Sequence, residues 1–203
     1  MSQLALPLSH RGEADPARIV IGSGNEAVAE ALADPSGWPF HTAILSGPPR
    51  SGKSLLGRWF MGQELGIAVD GADALDETAL FHRWNRTQES GEALLLLVDG
   101  EGWDIALPDL RSRLGAALHL EIGPPDDDMA AALLLSHAEQ RGLALGEGAP
   151  TYLIPRMERS YTAIEKIVAA IDRLSLERKA PATLSIWRDA LEAVQGPEQA
   201  RLL

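Results

Sequence analysis

Cysteine is absent from the 203-residue chain, which excludes disulfides and thiolate metal sites and gives no sign of an oxidising compartment. Equally missing is any apolar run of the length a membrane span needs, and the N-terminus has no basic segment leading into an apolar core. A cytoplasmic protein with no membrane partner is the expectation. Positive charge is scarce: 18 Lys and Arg stand against 29 Asp and Glu, for a formal net charge of −11. Nucleic-acid backbones require a basic footprint, so no direct nucleic-acid partner is expected. Trp38, Trp59, Trp84, Trp103 and Trp187 are too scattered to form a base-stacking platform and read as core or domain-contact residues. His10, His41, His82, His119 and His137 show no metal-ligand spacing, and the acidic run at 126–128 reads as a solvated helix start. There is no internal repeat and no low-complexity segment.

Against these absences stands one dense motif. Gly47-Pro48-Pro49-Arg50-Ser51-Gly52-Lys53-Ser54 satisfies G-x-x-x-x-G-K-[ST] at every fixed position. It follows the apolar run 42–46 and precedes a helical stretch at 55–61, the context in which backbone N–H groups at a helix start can face a phosphate. Lys53 is the residue that reaches the outer phosphates, and the Ser54 hydroxyl is a ligand for Mg²⁺. The expected cofactor is ADP or ATP with Mg²⁺, bound weakly.

Around the motif, short apolar runs at 42–46, 67–69, 93–98 and 118–122 alternate with helical stretches, which predicts a parallel sheet covered by helices. Beyond Gly123-Pro124-Pro125 the periodicity is helical throughout. Ile164, Ile167, Val168, Ile171 and Leu174 share one face, and Ser185 is placed to cap a last helix. The organisation read from this is an extended arm at 1–18, an α/β nucleotide-binding core at 19–124 and a helical lid domain at 125–203. Asp70 ends the 67–69 run and is the candidate second Mg²⁺-associated residue. Only sixteen residues separate it from Lys53, too few for another strand and helix between them, so the sheet is expected to be short of one edge strand.

A P-loop core followed by a helical lid resembles the AAA+ ATPases, and finer features narrow the resemblance. Ile19-Val20-Ile21-Gly22-x-x-Asn25 is similar to the opening segment of the replication initiator DnaA, and Ile122-Gly123-Pro124-Pro125-Asp126 to its crossing into the lid. Leu107-Pro108-Asp109-Leu110-Arg111-Ser112-Arg113-Leu114 is similar to the stretch that carries the family's arginine finger. The resemblance is greatest to the Hda family, DnaA relatives without the DNA-binding domain, and it covers about residues 3–194. It implies a P-loop AAA+ three-layer α/β core with a shortened parallel sheet and a small all-helical lid. It also implies that Arg113 acts in trans on ATP held by DnaA. Gln3-Leu4-Ala5-Leu6-Pro7-Leu8 resembles the family's motif for the DNA sliding clamp, the β subunit of DNA polymerase III; Gln3, Leu4, Leu6, Pro7 and Leu8 are its candidate contacts.

Three departures from the family pattern predict poor hydrolysis by the chain itself. Gly71 stands where a second acidic residue follows the Mg²⁺-associated aspartate, the 94–99 strand is apolar where a polar sensor is usual, and Thr162 takes the place of the lid's sensor arginine. The implied activity is regulation of replication initiation through hydrolysis of DnaA-bound ATP. A clamp-tethering module without catalytic contribution and a small P-loop NTPase are the alternatives.

Overall fold

Parallel strands need crossovers, and the alternation of apolar runs with helices supplies them. The computed structural model describes residues 19–100 and 102–196, and its sheet is a four-stranded parallel one. Its strands are β1 (Thr42–Ser46), β2 (Ile67–Val69), β3 (Leu94–Leu97) and β4 (Leu118–Glu121), in the order β2-β3-β1-β4. The register pairs Thr42 with Leu94, Ala43 with Leu118 and Ile67 with Leu94. Helix α1 (Glu26–Ala33) precedes β1; α2 (Lys53–Gly62) leads from it to β2; α3 (Glu77–Ser90) and α4 (Pro108–Gly115) flank β3. The chain passes from α2 into β2 with no strand between, so the shortened sheet expected from the Lys53–Asp70 spacing is what forms.

Four consecutive leucines make β3 because both faces of this strand are covered, so alternation is unnecessary. On one face Leu94, Leu96 and Val98 pack with Ile44, Val69, Leu80, Trp84, Leu110 and Leu114. The other face meets α2, where a Cβ on Gly57 would lie 2.6 Å from Leu97 Cδ1. Gly57 therefore sets how closely the P-loop helix approaches the sheet.

The described residues divide into two compact units, 25–123 and a second comprising 19–24 together with 124–196. The second unit is helical: α5 (Asp127–Gln140), α6 (Ala149–Leu153), α7 (Tyr161–Arg178) and α8 (Leu184–Gln195). Its core is the predicted stripe of Ile164, Ile167, Val168 and Ile171, packed with Leu134, Leu153, Ile186, Trp187 and Leu191. Asp126 caps α5, its carboxylate accepting from Met129 N at 2.8 Å. Hydrogen bonds from Ser23 and from that N–H hold its carboxyl below the usual range. Tyr161 opens α7 buried, and burial, reinforced by the charge of Asp126, pushes its phenol up to about 12. The expected cap at Ser185 is corrected. Helix α8 begins at Leu184, with its N-cap at Thr183, two residues before the expected position, and Ser185 lies within its first turn.

Candidate functional site

The loop at 47–54 is built by backbone conformation. Strand β1 ends at Ser46, Ser51 N donates to Pro48 O at 3.3 Å, and Gly52 sits at φ 92° before α2 begins with Lys53. A positive φ there suits glycine and little else. Arg50 also takes a left-handed φ of 66°, an uncommon state for a side chain of its size. Pro48 and Pro49 lack N–H groups, so the donors for an anion come from the loop's second half and the first turn of α2.

Lys53 is buried, with only 6% of its surface exposed, and its ammonium is held on three sides. It donates to Gly47 O at 2.7 Å and to Pro48 O at 3.0 Å, and it pairs with Asp99 Oδ1 at 3.1 Å. The Ser51 hydroxyl is buried in the same loop with no partner among the described residues. A buried ammonium and a buried hydroxyl in a loop that leads into the free N–H groups of a helix start fit a phosphate group. Gly47, Pro48, Pro49, Arg50, Ser51, Gly52, Lys53 and Ser54 are thus brought together as one loop.

Asp70 follows β2 directly, and Ser54 lies in the first turn of α2, both at the carboxyl end of the sheet. Strand β3 lies between β2 and β1, and Asp99, two residues beyond its end, meets Lys53. Its backbone N–H donates to Asp73 Oδ1 at 3.5 Å. Sequence reasoning missed Asp99 as a site residue because in sequence it only closes the apolar run 94–98. The available signal was its position after a strand adjacent to β1. Gly71 takes φ 62° and starts a short 3-10 turn at Ala72–Ala74, so the chain bends away where a second acidic residue would follow Asp70.

Arg111 and Arg113 both lie on α4 but are held differently. Arg111 Nε donates to Ile105 O at 2.7 Å, and its guanidinium lies 3.8 Å from Asp104. Arg113 carries its guanidinium carbon over two rings of α3, 4.4 Å from the centroid of Trp84 and 4.9 Å from that of Phe81. Among the described residues no carboxylate pairs with it. Glu77 ties the two helices together at their starts, its carboxylate accepting from Ala106 N and Leu107 N. In the helical unit, Arg159 pairs with Asp127 at 2.9 Å. The candidate clamp contacts Gln3, Leu4, Leu6, Pro7 and Leu8 lie outside the described residues. Among the described residues no group of three or more His, Asp or Glu is arranged to hold a metal, and no helix is long and apolar enough to cross a membrane.

Residues 126–191 match the family model described as Hda, lid domain. The fold of domain III of DnaA from Thermotoga maritima is similar, with a TM-score of 0.72 at 15% identity, covering 88% of this chain and 95% of that one. DnaA from Aquifex aeolicus, solved with AMPPCP bound, gives a TM-score of 0.59 at 19% identity over 80% of this chain and 67% of that one. The Holliday-junction motor RuvB of Thermotoga maritima, as its R170A variant, gives 0.60 at 16% identity over 86% and 70%. The chain has the fold of these AAA+ structures with a shortened sheet, and its helical unit matches the Hda lid model over residues 126–191.

Proposed function

Starting from an Hda-like, DnaA-related chain, we propose that this protein regulates replication initiation by supplying Arg113 to ATP held on DnaA while its N-terminal arm binds the sliding clamp. The observation that carries the reading is the state of Arg113. Its guanidinium lies over two rings, and among the described residues no carboxylate engages its N–H donors, whereas those of Arg111 are engaged by Ile105 and Asp104. A planar, permanently charged group of this kind can stabilise the charge that develops on a transferring phosphoryl group, an effect on the order of a thousandfold or more.

The loop at 47–54 would hold the phosphates of ADP or ATP, with Lys53 contributing charge and Ser54 and Asp70 facing Mg²⁺; bound nucleotide supplies the negative charge that these groups are shaped to receive. Hydrolysis by this chain alone is expected to be negligible, because Gly71 offers no carboxylate to orient water.

The test is hydrolysis of DnaA-bound ATP with DNA-loaded clamp. Arg113→Ala should remove stimulation while folding is kept, and Arg111→Ala should retain most of it. Arg113→Lys should rescue only in part, since it keeps the charge and loses the two-pronged donor geometry. Full stimulation by Arg113→Ala would favour a module that tethers to the clamp without catalytic contribution. Turnover by the purified chain alone, lost in Lys53→Ala, would favour an NTPase.

A further inference from the structure

We infer that Phe81 and Trp84 are positioning residues that hold the Arg113 guanidinium ready for a partner's phosphate; this rests on the reading of Arg113 as a group acting in trans. An arginine that must act on another molecule faces two opposed needs. Its long side chain has to be restrained, and its donors have to stay unpaired. A carboxylate would meet the first need and defeat the second. A ring face meets both, because attraction to the π charge leaves the N–H groups available. Phe81 and Trp84 lie three residues apart on α3 and so share a helix face, with the guanidinium carbon 4.9 Å from one centroid and 4.4 Å from the other. The Glu77 carboxylate pins the approach to α4 against the start of α3, which fixes the offset between the rings and Arg113.

Trp84 itself supplies a second argument. Its ring is buried, and its indole N–H has no hydrogen-bond partner among the described residues, a cost that an aliphatic side chain filling the same core would avoid. The ring face over which Arg113 lies is what an indole adds there. A purely structural role, with the arginine stem covering an apolar edge, would be served as well by leucine.

Two measurements on the full chain test the inference. In NMR spectra, the Arg113 side-chain resonances, assigned by their loss in Arg113→Lys, should be shifted upfield by the rings. The shift should shrink most in Trp84→Leu, less in Phe81→Leu, and persist in Trp84→Phe. In stimulated hydrolysis of DnaA-bound ATP with DNA-loaded clamp, Trp84→Leu should lower the maximal rate about tenfold, the scale of a partly buried cation–ring contact. The concentration for half-maximal stimulation should stay within about twofold, since the change concerns positioning and not docking. Trp84→Phe should restore most of the rate. Should Trp84→Leu not fold, Phe81→Leu and Trp84→Phe carry the same comparison, because Phe81 is only half-buried. Folded leucine variants that stimulate like wild type, while Arg113→Ala does not, overturn this inference and leave the regulatory reading standing. An unshifted Arg113 resonance in the wild type also overturns it. Wild-type stimulation by Arg113→Ala overturns the regulatory reading, and the inference with it.

Discussion

At the scale of single residues, Lys53 and Asp99 form a pair whose two members differ in what they risk. The lysine is buried and satisfies two backbone carbonyls; the aspartate side chain is 80% exposed and contributes one oxygen. Lys53→Ala should therefore abolish ADP binding in isothermal titration and also cost about 1–3 kcal/mol in urea unfolding, because the Gly47 and Pro48 carbonyls lose their donor. Asp99→Ala should cost under about 1 kcal/mol, as exposed ion pairs do. Equal losses for the two would contradict this division. These pairings also mark the limit of what the residue pattern reveals. The loop itself is legible because its glycines, lysine and serine occur within eight consecutive positions. Asp99 beside Lys53, and Arg113 over Trp84, join residues far apart in sequence and follow from strand order and helix packing, which periodicity does not encode.

At the scale of elements, the strands and the lid's apolar stripe are legible because a buried parallel strand and an amphipathic helix each leave a one-dimensional trace. The absent edge strand is legible for a simpler reason, that a chain cannot fit a helix and a strand into the residues left after the P-loop helix. The misplaced cap at α8 shows where that reasoning stops: Thr183 and Ser185 are equivalent cap formers by type, and only the backbone decides between them. Close contact between elements is likewise invisible in the pattern. Gly57 lets α2 lie against β3, and Gly57→Ala would thrust a methyl group to within 2.6 Å of a Leu97 carbon. The expected result is a loss of about 1–3 kcal/mol in chemical denaturation, the range for overpacking, although alanine is the better helix former. Leu97→Val should relieve part of it, and independent, additive effects would argue that the contact is not the cause.

At the scale of the whole molecule, the proposed function divides between parts that need not fold together. Clamp binding is assigned to residues 3–8, and phosphate stabilisation to Arg113. Deleting residues 1–9 should abolish retention on immobilised clamp while leaving the circular-dichroism spectrum and melting of the remainder unchanged; unchanged clamp affinity would reject the assignment. The strand order has a consequence of another kind, for the sequence of events as the chain is made. Strand β1, which leads into the loop at 47–54, is paired with β3 and β4, with Thr42 against Leu94 and Ala43 against Leu118. During synthesis it must emerge and persist without a strand neighbour until β3 is available, and with only one until β4 follows, and bridging such separations slows folding. The nucleotide loop is therefore among the earliest parts translated in the α/β unit and among the last to gain support, so a ribosome stalled short of Leu94 would present the complete motif with no sheet to hold it.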